Sequence, residues 1–210
     1  MLTNKVIHSG LFLMLIVILS SGLTMLRNIN YSIDPSSKLS LEGTSNVTDF
    51  SCDCKQSFPG DEVYFEEDLE NGTLTFQGAQ LNVKTKNLDC GNHGMNKDMY
   101  NTLMADKYPY ISIQLLSATL PKTTSLQDSR YWTSLNTRVA LTIAGHKKVM
   151  PLVVEAKKLS DGKYHFKACQ MIRMTDFGID PPKPFFGMIK VSDEITINMN
   201  LIIQKKNESN

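Results

Sequence analysis

The sequence predicts an all-β fold of about eight short antiparallel strands with one short amphipathic helix. From Lys38 onward, apolar and polar residues alternate with a period of two, which places alternate side chains on opposite faces of a strand. Gly145 and the pair Asp161-Gly162 interrupt the alternating runs as tight hairpin turns do. Such a pattern is typical of a β-sandwich or a β-barrel, and the alternation alone does not choose between them.

The alternation is clearest in two segments, LNTRVALTI at 135–143 and ITINMNL at 195–201. In both segments one face is mostly apolar and the other mostly polar, which predicts strands with one buried face. The predicted strands span residues 38–45, 47–58, 73–83, 111–119, 135–143, 147–156, 163–172 and 195–201.

One segment, 96–106, has helical spacing instead, because Met99, Leu103 and Met104 recur at intervals of four and one. We expect a helix there that is capped by Asn96 and ends before Tyr108-Pro109.

The N-terminus resembles an export signal. Lys5 precedes an apolar run at 11–19, and Ser20-Ser21-Gly22 provides small residues for a cut after Gly22. The alternative is an uncleaved membrane anchor. We expect 1–22 to be a cleaved signal peptide, 23–204 to form the folded domain and 205–210 to be a polar tail, so the protein is secreted or periplasmic.

Composition excludes some partners. The formal charge is +1, and removal of Lys5 with the signal brings it to zero. A nucleic-acid-binding domain would need a basic face, so no nucleic-acid partner is expected. We expect membrane contact to be transient, unless the N-terminal anchor is retained.

The stretch LDCGNHGMN, 88–96, invites a chemical interpretation because it contains both Cys90 and His93. Zinc needs four ligands, usually in paired short spacings, and the other close pair is the remote Cys52-x-Cys54. In an exported chain, four cysteines indicate disulfides first. We predict that Cys90 bonds to Cys52 or Cys54, and that the disulfide-forming residues are Cys52, Cys54, Cys90 and Cys169. His93 should then be an exposed residue without a catalytic role. A thiol-dependent enzyme that uses Cys52 or Cys54 remains an alternative.

Several ordered motifs carry a family resemblance. They are YSID with SKL (31–39), GTSNV with Phe50, MNKDM leading to KYP (95–109), LTIAG (141–145), MTDFGI with PP (174–182) and GMIKV (187–191). In this order they resemble the YceI-like family of secreted bacterial lipid-binding proteins, and GTSNV is similar to the branch found in Bacteroidetes-type bacteria. The resemblance implies an elongated, lipocalin-like antiparallel barrel whose cavity holds a polyprenyl chain.

An eight-stranded barrel is just wide enough to hold one small ligand, although side chains alone often fill such barrels. By alternation, the inward candidates come from the strands, and the helix methionines Met95, Met99 and Met104 with Phe185 and Phe186 could form a mouth. The side chains that we predict contact the ligand are Phe50, Phe76, Met99, Leu103, Ile113, Val139, Leu141, Phe166, Phe177, Phe185, Ile197 and Met199. Core packing remains the alternative for each of them.

Together these observations predict a non-enzymatic exported protein, without cofactor or metal, that carries an isoprenoid-like lipid of the polyprenyl or quinone type, or another long-chain lipid. The alternatives are a secreted barrel that acts through its surface, in stress response or adhesion, and the thiol-dependent enzyme.

Overall fold

The computed structural model describes residues 26–68, 71–120, 131–159 and 162–206. This part of the chain contains twelve strands in one antiparallel sheet and a ten-residue helix. In chain order they are β1 (Leu26–Ile33), β2 (Lys38–Ser45), β3 (Asp49–Cys54), β4 (Glu62–Asp68), β5 (Thr73–Gln77), β6 (Gln80–Lys84), β7 (Leu88–Asp89), α1 (His93–Thr102), β8 (Tyr110–Thr119), β9 (Thr133–Ile143), β10 (His146–Lys158), β11 (Lys163–Arg173) and β12 (Val191–Lys205).

Eight of the strands form a closed ring in the order β1-β4-β5-β8-β9-β10-β11-β12. The ring closes because β12 also pairs with β1, where Tyr31 lies opposite Lys205 and Ile33 lies opposite Ile203. The predicted all-β, antiparallel barrel is therefore confirmed. No helix in the described residues is both long and apolar enough to cross a membrane.

The remaining strands extend the wall at one end of the ring. The strands β2, β3 and β7 follow one another outward from the first half of β12, and β6 pairs with the first half of β8. The β1 and β5 strands occupy the other halves of the same two edges. The Gln56 side chain links β3 to β6, since it donates to the Asn82 carbonyl and accepts from the Lys84 N–H. The barrel thus has two ends of different construction.

The inward-facing side chains form two separate clusters, one at each end of the barrel. One end is filled by a compact cluster from β9 and β10, namely Leu135, Val139, Leu152, Val154 and Ala156. A larger cluster at the other end includes Leu39, Val83, Leu88, Ile143 and Phe177. Along the first half of β9, the exposed Ser134, Asn136 and Arg138 alternate with buried neighbours, as the sequence predicted.

Several predicted boundaries were wrong. The segment 73–83 forms two strands that are separated at Gly78-Ala79, and 47–58 is a strand only at Asp49–Cys54. The strands β1 and β4 were missed because their sequences, LRNINYSI and EVYFEED, show little alternation and are exposed or only partly buried. They pair mainly with each other and close the ring. The predicted segment 1–22 lies outside the described residues, and β12 includes Lys205, the first residue of the predicted tail.

The helix starts three residues earlier than predicted. The Asn92 side chain, not that of Asn96, accepts from the N–H groups of Gly94 and Met95 and caps the helix. The Asn96 side chain instead accepts from the Cys90 N–H at 2.7 Å and donates to the Asp89 carboxylate at 2.9 Å. Asn96 therefore fixes the connection between β7 and the helix rather than the helix end.

The stretch 88–96 is held by a disulfide between Cys52 and Cys90, which lie 38 residues apart in the chain. This agrees with the predicted bond from Cys90 to Cys52 or Cys54. The prediction that Cys54 and Cys169 also form disulfides was wrong, since both are free thiols. Cys54 is half-buried and packs against the larger interior cluster, which includes Leu39 and Leu88. Cys169 is exposed on β11.

A second link holds the turn between β1 and β2. The Asp34 carboxylate accepts from the Lys163 ammonium at 2.9 Å and from the backbone and hydroxyl of Ser36. The bond from Lys163, and then those from Ser36, hold the pKa of Asp34 well below its usual range. The adjacent Ser37 hydroxyl accepts from the Ile202 N–H, so the turn also contacts β12.

Replacement of both Cys52 and Cys90 by alanine is expected to lower the free energy of unfolding by ~3–4 kcal/mol, because the bond closes a 38-residue loop in the unfolded chain. Urea unfolding without reductant, so that the wild-type bond stays intact, measures the change. The matched control is Cys169→Ala, which removes an exposed free thiol and should change stability little. Equal stabilities of the double variant and the control would contradict the prediction.

Asp34→Asn is expected to lower stability at neutral pH and to flatten its acid dependence. Because folding depresses the pKa of Asp34, the unfolded chain takes up this proton first as the pH falls. The ionised Asp34 therefore makes its full contribution to the free energy of unfolding above the unfolded pKa of about 3.9. That contribution is lost as the pH falls from there towards the folded pKa. Urea midpoints at pH 7, 4 and 3 test this. Asp106→Asn, which breaks an exposed ion pair with Lys86, is the control and should have a much smaller effect.

Candidate functional site

A cavity of about 400 Å³ lies at the barrel end where β2, β3, β6 and β7 extend the wall. Its deep part is apolar, and the side chains there are almost fully buried. They come from most of the surrounding elements and include Leu39, Val83, Leu88, Ile111, Ile143, Ile172, Met174, Phe177 and Ile179. The volume lies within the roughly 300–1,000 Å³ range of small-molecule sites.

Strand alternation builds two walls of this cavity. Leu39 and Leu41 point inward from β2, and Ile195 and Ile197 point inward from the neighbouring β12. Gly43 continues the row on β2, and a Cβ at this position would lie 2.4 Å from the Phe50 ring and 2.7 Å from the Ile195 side chain. The absence of a side chain at Gly43 thus lets Phe50 and Ile195 meet beside the cavity.

The helix α1 forms a third wall. Met95, Met99 and Leu103 line the cavity from one side of the helix, and the polar Asp98 and Thr102 line it beside them. The disulfide lies beneath this wall, with the Cys90 sulfur 3.8 Å from the Met99 sulfur. The bond therefore fixes the helix against β3, at the side of the cavity.

A 3-10 turn (Met174–Phe177) after β11 closes the inner side. The Asp193 carboxylate accepts from both the backbone N–H and the hydroxyl of Thr175, at 2.8 and 2.6 Å, and these bonds lower the pKa of Asp193. Phe177 is held inward with 1% of its surface exposed. On the outside of the turn, Lys148 forms an ion pair with Asp176 at 2.8 Å.

The cavity opens to solvent where exposed residues of the β2–β3 turn, the start of α1 and the loop that precedes β12 line it. Asn46 joins the turn to the loop, because its side chain donates to the Met188 carbonyl at 3.0 Å and accepts from the Lys190 N–H at 2.7 Å. Val47 and Phe185 line the cavity from either side of this link, yet both are mostly exposed to solvent. They therefore form part of the opening.

The cavity brings together seven of the twelve predicted ligand-contacting residues, and ligand contact itself stays a prediction for them. These are Phe50, Met99, Leu103, Ile113, Phe177, Phe185 and Ile197. Of the predicted mouth residues, Met95 and Met99 line the cavity, whereas Met104 does not.

The other five predicted residues do not line the cavity. Val139 and Phe166 belong to the cluster that fills the opposite end, and Phe76 packs there against Phe65, with ring centroids 6.2 Å apart. Leu141 is buried within the cluster beside the cavity without reaching its surface. Met199 lies two residues beyond Ile197 on the same strand face and outside the lining.

The prediction missed much of the deep lining, including Leu39, Leu41, Ile172 and Ile195. The alternation signalled these residues, because Leu39 and Leu41 alternate with polar residues on β2, and Ile195 precedes Ile197 by two positions. It gives no information about position along the barrel axis, so it could not distinguish the cavity end from the filled end.

The cysteines do not resemble a thiol active site. Cys52 and Cys90 are bonded to each other, so neither offers a thiolate to a substrate or a metal. Burial raises the pKa of the Cys54 thiol, whereas reactive cysteines have a depressed pKa. His93 is exposed at the start of the helix. Within the described ranges, no three His, Cys, Asp or Glu side chains gather as metal ligands would.

Comparison with solved structures supports the fold. Burkholderia cenocepacia BcnA superposes with a TM-score of 0.61 at 16% identity, covering 81% of this chain and 99% of BcnA. A polyisoprenoid-binding domain from Saccharophagus degradans, implicated in plant cell wall breakdown, superposes with a TM-score of 0.62 at 12% identity, covering 85% of this chain and 99% of that domain. A comparison with curated proteins gave no match.

The family model of the YceI-like domain matches residues 31–203, from the end of β1 to the end of β12. The match includes every residue that lines the cavity and most of the strands of the ring, although the part of β1 that pairs with β4 precedes it. This chain belongs to the YceI-like domain family.

Proposed function

We propose that this protein is an exported, non-enzymatic carrier that holds one amphiphilic, isoprenoid-like lipid in the barrel cavity. The observation that carries the proposal is an apolar cavity whose inner residues are buried and whose outer residues are exposed to solvent. Each methylene that moves from water into such a space contributes about 0.8 kcal/mol. A linear apolar chain can therefore bind there with few hydrogen bonds or other polar contacts to orient it.

The distribution of polar groups supports an amphiphile rather than a plain hydrocarbon. The polar residues in the lining are exposed or half-exposed, whereas the deep lining is apolar and buried; they are Ser45, Thr48, Asn92, Asp98 and Thr102. A bound lipid would leave its head group beside these residues, where hydroxyl, amide and carboxylate groups can form hydrogen bonds. Its chain would lie against the buried side chains.

The structural comparison supports an isoprenoid as the chain. The Saccharophagus degradans domain is described as polyisoprenoid-binding, and it shares the barrel fold with this protein. Several of the sequence motifs that led to the YceI-like family contribute residues to the cavity and its opening, among them Asn46 and Phe177. We therefore favour a polyprenyl or quinone-type lipid over other long-chain lipids.

Two features favour a binding protein over the thiol-dependent enzyme. The disulfide occupies Cys52, and burial raises the pKa of Cys54, which leaves its thiol protonated at neutral pH.

A barrel that acts only through its surface would have no need of the cavity.

Export is proposed from the basic, apolar and small-residue pattern of 1–22. The disulfide is consistent with it, because such bonds persist in oxidising compartments. The proposed location is the periplasm or the exterior of the cell.

Native mass spectrometry of protein purified from its own host is expected to show a stoichiometric lipid adduct, which dissociates on denaturation and has the mass of an isoprenoid lipid. The same spectrum should give a polypeptide mass that corresponds to a chain starting at Leu23. A ligand-free protein would contradict the carrier proposal, and a full-length polypeptide would contradict cleavage of the signal.

Ile197→Trp is expected to lower lipid retention at least about tenfold while the barrel stays folded, because the larger side chain occupies the space of several methylenes. The matched control is Val153→Trp, which adds the same ring on the outer face of β10, where Val153 is 55% exposed. Lipid occupancy is measured by native mass spectrometry and folding by circular dichroism. Equal retention by the two folded variants would show that the lipid lies elsewhere.

A further inference from the structure

We propose that the opening of the cavity is a membrane-docking surface, which inserts into the outer layer of a phospholipid bilayer so that lipid passes directly between bilayer and barrel. The surface, here called the apolar rim, consists of Val47, Met95, Phe185, Phe186 and Met188. This inference rests on the proposed function, because it assigns the source of the lipid that the cavity holds.

The apolar rim exposes several apolar side chains to solvent, which is unfavourable unless they contact another apolar surface. Phe186 is fully exposed, and Phe185, Met188 and Val47 are 65%, 68% and 62% exposed. Val47, Met95 and Phe185 also line the cavity, so the exposed surface continues into its interior. A concentration of apolar side chains around an apolar opening marks an interaction site rather than scattered surface residues.

The loop backbone holds the two phenylalanines outward. Phe185 and Phe186 have φ values of 54° and 55°, and Gly187 follows at 84°, so three consecutive residues adopt the left-handed conformation. This conformation is unfavourable for residues with a Cβ, and it persists where surrounding contacts impose it. Here the N–H groups of Gly187 and Met188 donate to the carbonyls of Lys183, Pro184 and Phe185. The exposed position of the rings is thus a property of the folded loop.

Asn46 makes the two sides of the apolar rim one surface. In addition to the two bonds of its side chain, its N–H donates to the Lys190 carbonyl at 3.1 Å. Val47 on the β2–β3 turn and Met188 on the other loop are therefore held at a fixed separation. A preformed surface of this kind loses little conformational entropy when it binds.

The charges beside the apolar rim suit a phospholipid surface. Lys183 and Lys190 are exposed at the two ends of the loop that carries Phe185 and Phe186, and no acidic residue lies between 181 and 190. Asp98 is the one acidic side chain in the described cavity lining. Lysines beside an inserted apolar segment contact the phosphate groups of lipids, and aromatic rings favour the bilayer interface.

A bilayer fits these observations better than a protein partner. The ligand of the cavity is insoluble in water, and it must leave and enter a membrane at each transfer. Insertion of Phe186 and Met188 would place the opening against the acyl chains, so the lipid would pass without crossing water. Interfacial proteins bury an apolar face in the same way, at the boundary of headgroups and acyl chains.

The test is flotation of the intact mature protein with phosphatidylcholine vesicles, with and without phosphatidylglycerol. Wild-type protein should float with the vesicles, and the variant F186S/M188Q should bind at least about tenfold less, since two inserted apolar side chains are lost. The matched control is V153Q, because Val153 is 55% exposed on the outer face of β10, between Leu152 and Val154 at the filled end of the barrel. The control should bind as the wild type does.

A second variant, K183Q/K190Q, should lose the added binding that phosphatidylglycerol provides and retain binding to phosphatidylcholine. The proposal is overturned if wild-type protein does not float, or if F186S/M188Q floats as the wild type does. It is also overturned if V153Q loses as much binding as F186S/M188Q, because the effect would then not belong to the apolar rim.

Retention of the linear polyprenol solanesol, loaded from a cyclodextrin complex without vesicles, distinguishes this proposal from the carrier function. Phe186 and Met188 do not line the cavity, so F186S/M188Q should retain solanesol as the wild type does. Normal retention with unchanged flotation contradicts docking and leaves the carrier intact. Flotation that depends on the apolar rim, in a protein that retains no solanesol, supports docking and contradicts the carrier.

Discussion

The closure of the sheet on β12 is the constraint on which the rest of the structure depends. This 15-residue strand pairs along one edge with β11, and its other edge is divided between β2 and β1. Because no single partner covers that edge, the chain has to leave β1 at Ile33 and rejoin the same edge at Lys38. The bonds of Asp34 to Lys163 and of Ser37 to Ile202 hold this transition in place.

The divided edges explain why the two ends of the barrel differ. Where β1, β4 and β5 complete the ring, the strands are close enough for Val139, Leu152 and their neighbours to fill the interior. Where β2, β3 and β6 extend the wall, a helix and a long loop complete the enclosure instead of further paired strands. The side chains from these strands, the helix and the loop do not fill this end, and a cavity of about 400 Å³ remains.

Two links of different chemistry hold the non-strand parts of the enclosure. The disulfide from Cys52 to Cys90 fixes the start of the helix, and Asn46 fixes the loop that carries Phe185. Both links lie near the opening, where the sheet no longer supports the wall. An enclosure that is rigid around its opening presents a defined surface there, as the proposed transfer of lipid from a membrane requires.

The sequence by itself determined the strand faces, the antiparallel class, the region of the helix and the cysteine that bonds to the strand β3, because each depends on local periodicity or on chemistry within a short stretch. Only the tertiary structure decided which inward residues meet a cavity. Ile197 and Met199 lie two residues apart on the same face of β12, yet Ile197 lines the cavity and Met199 does not. A period of two records the face of a strand and not the depth of a residue along the barrel, and that depth is set by distant pairings such as that of β1 with β12.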